Sequence, residues 1–154
     1  MLGLFALVVL VVVVFDQATK AIIVGSLKLH EVRTVIPGYF DIVHFRNTGA
    51  AFGFLGGNFS TLKHYFFTSV SVIALLAILF YLLRLKEQKT TEVIGLGLIF
   101  AGATGNLVDR LRFGRVVDFL YFHWHQYYWP AFNVADSAIT VGAILLLWFY
   151  LRKG

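Results

Sequence analysis

Four long apolar stretches separated by polar ones set the plan of the chain, at residues 3–24, 64–85, 93–111 and 131–151. Each is close to the roughly 20 apolar residues that a helix needs to cross a hydrocarbon core, so the pattern predicts four transmembrane helices. The first continues through Asp16, Ala18 and Lys20 to Val24. No basic residue precedes it and no clean small-x-small cleavage site follows, so it reads as a retained span and not as a signal peptide. From 26 to 63 the pattern changes. Charges appear at Lys28, Glu31, Arg33, Asp41 and Arg46, and a Pro37-Gly38 turn separates two β-branched and aromatic runs, 32–36 and 39–45. These predict strands of a small extramembrane β-sheet. The Gly-rich stretch 46–53 predicts a loop with close backbone approach. The seventeen residues 119–135 between Asp118 and Asp136 are too polar and too short to cross the membrane, so the chain must return to the same side there, and the loop is placed at 112–130. Trp124, Tyr127, Tyr128 and Trp129 are residue types enriched at headgroup level, and the segment is expected to be an interfacial aromatic loop. The expected fold is therefore an all-α membrane protein with four transmembrane helices, a small extramembrane sheet and that loop, in one integral domain over 1–154.

Polar residues inside the apolar stretches carry the chemistry, because an ionisable group at membrane depth is costly and marks a functional site by default. Asp16 and Lys20 lie four apart on one helix face, either as an internal ion pair that eases insertion or as support for a buried site. In the third stretch Gly97, Ala101 and Gly105 form a small-residue stripe that admits a neighbouring helix. Asn106, Asp109 and Arg110 follow on one face. There Asp109 either satisfies buried polar groups or serves a site. The fourth stretch concentrates Asn133, Asp136, Ser137 and Thr140 at its start, which places a site near one surface. Asp118 and Asp136 flank the aromatic segment where two spans meet water. Two carboxylates at one membrane face suggest a pair that shares a proton and activates a water.

Composition narrows the class. Of 154 residues 59% are hydrophobic and only 14% charged, with mean hydropathy +0.80, against roughly half and a quarter in soluble domains. The absence of cysteine excludes disulfides, thiolate metal sites and a cysteine nucleophile within the chain. The net charge of +5 comes from basic residues at the ends of apolar segments, where they meet lipid headgroups, so membrane lipids and not nucleic acid are the expected partners. His123 and His125 lack an obvious third ligand and read as interfacial histidines; no metal and no cofactor are expected. Charge alone does not orient the chain. With both termini cytoplasmic, Arg84, Lys86, Lys89, Arg152 and Lys153 lie inside, but Lys28, Arg33, Arg46, Lys63, Arg110, Arg112 and Arg115 lie outside, which the positive-inside rule does not favour.

Five segments carry a resemblance. Asp16-Gln17-Ala18-Thr19-Lys20, Arg46-Asn47-Thr48-Gly49-Ala50-Ala51-Phe52-Gly53, Ala101-Gly102-Ala103-Thr104-Gly105-Asn106-Leu107-Val108-Asp109-Arg110, Val116-Val117-Asp118-Phe119 and Phe132-Asn133-Val134-Ala135-Asp136-Ser137 resemble, in order, the motifs of the lipoprotein signal peptidases (signal peptidase II). The resemblance implies four transmembrane helices with both ends cytoplasmic and an active site near the outer face of a bacterial cytoplasmic membrane. It implies an aspartic endopeptidase that cuts diacylglyceryl-modified prolipoproteins just before the lipidated cysteine, and inhibition by cyclic peptides of the globomycin type. Asp118 and Asp136 would be catalytic, Asn47, Asn106, Arg110 and Asn133 would line or support the site, and Asp16, Lys20 and Asp109 would be structural. The chain departs from many relatives in starting almost directly with its first span. A monomer is expected. The alternative from another class is a proton-coupled small multidrug exporter using Asp16, which would need a midplane site open alternately to both sides. A scaffold subunit would not require Asp118 and Asp136 to act together.

Overall fold

The computed structural model describes residues 1–49, 61–84 and 89–152. In chain order the elements are α1 (Leu2–Ser26), β1 (Val32–Ile36), β2 (Phe40–Asn47), α2 (Thr61–Arg84), α3 (Thr90–Phe113), β3 (Val116–Trp124), β4 (Tyr127–Tyr128) and α4 (Val134–Leu151). All four helices are long and apolar enough to cross a membrane. The bundle is built around α3, whose membrane window is 56% buried against 11% for α1 and α2. That burial follows from composition, since a span carrying glycines, Asn106, Asp109 and Arg110 is the one best shielded from lipid. The apolar faces of the others point outward, as Leu10, Phe15, Ile73, Leu76 and Ile144 show by their exposure.

Missing side chains let the helices approach. A Cβ on Gly97 would sit 3.1 Å from Val8 Cγ1, and one on Gly105 would sit 2.5 Å from Asp16 Oδ2, so the predicted small-residue stripe receives α1. A second set, not anticipated from the sequence, receives α4. A Cβ on Gly102 would lie 2.3 Å from the Ala135 carbonyl oxygen, and one on Gly142 would lie 2.7 Å from that of Gly95.

The sheet is antiparallel in the order β1-β2-β3-β4, with Val32 opposite Val43, Phe45 opposite Asp118, and His123 opposite Tyr128. Val117 and Phe119 of β3 pack with Ile23 and Leu27 at the end of α1, which fixes the sheet to the bundle. Here the structure differs from the sequence reading. Residues 112–130 are mostly not a loop: Arg112 and Phe113 complete α3, Gly114 turns the chain with φ of 69°, and Val116–Trp124 is the strand that pairs with β2. Gly114 tolerates that left-handed conformation because it has no Cβ, and its N–H closes the helix on the Arg110 carbonyl at 2.9 Å. Tyr127, Tyr128, Trp124 and Trp129 remain exposed at the far edge of the sheet. The second strand runs to Asn47, past the expected 45, and the fourth helix starts at Val134 because Asn133 caps it. Of the Gly-rich stretch, Arg46 and Asn47 belong to β2, while 50–53 lie outside the described residues.

Candidate active site

Asn133 is the junction of the site. It precedes α4 in extended conformation, and its Oδ1 accepts the N–H of Asp136 at 2.9 Å, satisfying one of the helix's orphan donors. An oxygen engaged this way leaves Nδ2 to donate elsewhere. It donates to Asp118 Oδ1 at 2.7 Å, to the Val117 carbonyl at 3.2 Å and to Asn106 Oδ1 at 3.3 Å. The backbone of Phe132, bonded to Phe119 and Leu120, holds this cap against β3. One fully buried amide therefore links the strand carrying Asp118 with the helix carrying Asp136.

Each acid has a further amide donor. Asn106 Nδ2 of α3 donates to Asp136 Oδ1 at 2.8 Å. Asn47 uses its Oδ1 to accept the Gly49 N–H at 2.8 Å and hydrogen-bonds Asp118 with its side chain. Asp118 and Asp136 are each only 2% exposed. Burial first, and then the neighbouring Asp136 charge, push the Asp118 carboxyl from 3.8 up to about 8, against the opposing pull of the Asn47 and Asn133 donors and the Lys20 charge. An acid in that condition keeps its proton at neutral pH. A cavity of about 160 Å³ lined by Phe45, Arg46, Asn47, Asp118, Pro130 and Ala131 gives access to the Asp118 side of the pair.

Arg110 stands beside the acids. Its Nη2 donates to the Gly49 carbonyl at 3.1 Å, its Nη1 to the Asn106 carbonyl at 3.4 Å, and its guanidinium lies 5.7 Å from the centre of the Phe67 ring. It therefore ties α3 to the chain after β2 and to α2. Behind Asn106 lies a buried charged group. Lys20 Nζ is 2.9 Å from Asp16 Oδ2, 3.0 Å from Asp109 Oδ2 and 3.1 Å from Asn106 Oδ1, so each ammonium proton has an acceptor. Gln17 joins it, donating toward Asp16 Oδ2, Asp109 Oδ1 and the Gly105 carbonyl.

All of chain 8–152 matches the family model described as signal peptidase (SPase) II. The chain belongs to the signal peptidase II family. A lipoprotein signal peptidase from Syntrophus aciditrophicus is 47% identical over 97% of this chain and 93% of its own length. Another from Geobacter sulfurreducens is 49% identical over 97% and 92% respectively. A bacterial membrane enzyme structure solved by the in meso method at 2.3 Å is 35% identical, with a TM-score of 0.87 over 99% of this chain and 90% of that one.

In this member of the family the candidate residues Asp118, Asp136, Asn47, Asn106 and Asn133 form one connected cluster, with Arg110 beside it and Asp16, Lys20 and Asp109 behind. The histidines lie elsewhere. His123 Nε2 is 2.9 Å from Asp41 Oδ2 in the sheet, and His125 sits in the turn between β3 and β4. Ser137 and Thr140, on the polar face of α4, bond back to the carbonyls of Asn133 and Asp136 at 2.9 Å. Asp16, which an exporter would need to titrate, is occupied by Lys20. Gln17 was missed as a site neighbour. Its position beside Asp16 in the first polar motif was the available signal.

Proposed function

We propose that the chain removes the signal peptide of diacylglyceryl-modified prolipoproteins, cutting immediately before the lipidated cysteine, with a water activated between Asp118 and Asp136. The observation that carries this reading is the Asn133 amide, which holds the two acids in one buried cluster at the end of the bundle. Asp118, with its carboxyl raised to about 8 by burial and by Asp136, is the proton donor to the scissile carbonyl. Asp136 is then the ionised partner, supported by the Asn106 donor and by the first turn of α4, where helix dipoles favour negative charge.

In the first step Asp136 takes a proton from water as the water oxygen bonds to the carbonyl carbon, and Asp118 gives its proton to the carbonyl oxygen. A neutral gem-diol results. In the second step Asp136 returns its proton to the leaving amide nitrogen, the C–N bond breaks, and Asp118 recovers a proton from a diol hydroxyl. The products are a carboxylic acid and a free amine, and the dyad regains its starting state. General acid–base assistance of this kind is worth roughly 10²–10⁴-fold in rate.

Substrate enters from the membrane. A groove of about 290 Å³ lined by Trp129, Phe132, Ser137, Thr140 and Val141 runs beside α4 from the level of the acids and suits an apolar segment of the signal peptide. The lipid-anchored cysteine then lies at the interface, which fits a site at the outer face of the bacterial cytoplasmic membrane. Globomycin-type cyclic peptides are expected to compete for the same place. Mass spectrometry of the product from a purified lipidated prolipoprotein tests the reading. The mature chain should begin with the diacylglyceryl-cysteine, and cleavage at another bond, or equal cleavage of an unlipidated precursor, would overturn it.

A further inference from the structure

The ion triad Asp16–Lys20–Asp109 touches the backbone at two telling places. Asp16 Oδ1 accepts the N–H of Ala135 at 2.9 Å, and Ala135 immediately precedes Asp136. Asp109 Oδ2 accepts the N–H of Val117 at 3.0 Å, and Val117 immediately precedes Asp118. Lys20 joins the two carboxylates through the Oδ2 of each. The third ammonium proton goes to Asn106 Oδ1. An ammonium only donates, so it forces the Asn106 amide to turn its oxygen inward and its Nδ2 onto Asp136. Asp16 also supplies the second N-terminal cap of α4 beside that of Asn133, although it lies on α1.

We infer that Asp16, Lys20 and Asp109 are positioning residues: a clamp that fixes the separation of Asp118 and Asp136 through their preceding peptide groups and sets the polarity of the Asn106 amide. The inference rests on the reading of Asp118 and Asp136 as the catalytic pair. A role limited to helix insertion would require the Asp16–Lys20 pair alone. It would give no reason for the two carboxylates to grip the peptides before the two acids. Nor would it explain why Gly105, where a Cβ would collide with Asp16 Oδ2 at 2.5 Å, has no side chain.

The test is kinetic. Lys20→Met, Asp16→Asn and Asp109→Asn are assayed in detergent on a lipidated prolipoprotein, singly and in pairs, with KM, kcat and the pH–rate profile recorded. Other charges face the acids as well, Arg110 from α3 among them, and these stay in place in every variant. The clamp predicts that Lys20→Met lowers kcat by about 100-fold, the cost of misplacing reacting groups by about 1 Å, with KM little changed. It predicts that the two apparent pKa values of the profile move together, because acids held less closely repel less. Losses in the double variants should be smaller than the product of the single losses, since every variant breaks the same Asp16–Lys20–Asp109 triad. If Lys20→Met does not fold, Asp16→Asn and Asp109→Asn with their double variant give the same reading. Unchanged kcat, or independent multiplicative losses with an unaltered pH profile, would overturn the clamp. Should Asp118→Asn or Asp136→Asn cleave normally, the catalytic reading itself fails. If both are inactive while the triad variants behave as wild type, only the clamp fails.

Discussion

Asn133 donates to Asp118 across 2.7 Å with the same amide that accepts the backbone N–H of Asp136. A capping residue thus serves two purposes, starting α4 and presenting a donor to an acid on β3. Asn133→Ala removes both. Loss of the cap alone should cost about 1 kcal/mol of stability, and the loss of the donor should lower kcat beyond any change in folded fraction. Asn133→Ser keeps a capping oxygen but cannot donate to Asp118 and Val117 in the same way. Its melting temperature should stay nearer wild type while its kcat falls with that of the alanine variant. Thermal unfolding in detergent, paired with cleavage rates, checks this.

The raised carboxyl of Asp118 gives a stability prediction with a definite sign. The unfolded chain ionises this group near its ordinary 3.8, but the folded protein keeps it protonated until about 8. The folded state is therefore favoured below the lower value, and that contribution is lost as pH rises through the window between the two. Asp118→Asn cannot ionise. It should melt like wild type at the acid end and progressively above it as pH approaches 8, and a constant difference across the range would contradict the assignment.

Helix contact at Gly102 is equally specific. An added Cβ would meet the Ala135 carbonyl oxygen at 2.3 Å and Ile139 Cγ1 at 2.7 Å, so α4 must move away from α3. Gly102→Ala should cost about 1–3 kcal/mol, the usual range for overpacking, and should lower activity because Ala135 adjoins Asp136. Gly25→Ala, which has nothing within 4 Å of the added carbon, is the control that should leave activity unchanged and not lower stability, helical alanine over glycine adding at most about 1 kcal/mol.

At the opposite end of the bundle, buried Glu92 of α3 receives the hydroxyls of Tyr81 from α2 at 2.8 Å and Tyr150 from α4 at 2.5 Å. Tyr150→Phe should lower stability by about 1–3 kcal/mol, as loss of a hydrogen bond to a charged or acidic group does, without changing kcat per folded molecule. A fall in kcat at unchanged stability would show that this contact reaches the active site.

The helices and the first hairpin were legible because their signals are local. Apolar length marked the spans, and Pro37-Gly38 between β-branched runs marked β1 and β2. Val116–Trp124 escaped because its aromatic residues also suit a membrane interface and its pairing partner lies in β2, far away in sequence. Asp118 and Asp136 were legible as polar residues where apolar spans end. The duty of Asp16 was not: Lys20, one turn along the same helix, explained it locally, and its bond to Ala135 exists only once α1 packs beside α4. Gly102 escaped for a similar reason. The stripe of Gly97, Ala101 and Gly105 is visible as a repeat, whereas the face toward α4 depends on the shape of that helix.

The central claim is that Asp118 and Asp136 act as a pair on the scissile bond. Cleavage of a lipidated prolipoprotein by the purified protein in detergent, compared with Asp118→Asn and Asp136→Asn at matched folding, tests it most directly. Both variants should bind substrate and lose cleavage. Normal cleavage by either one would contradict the account.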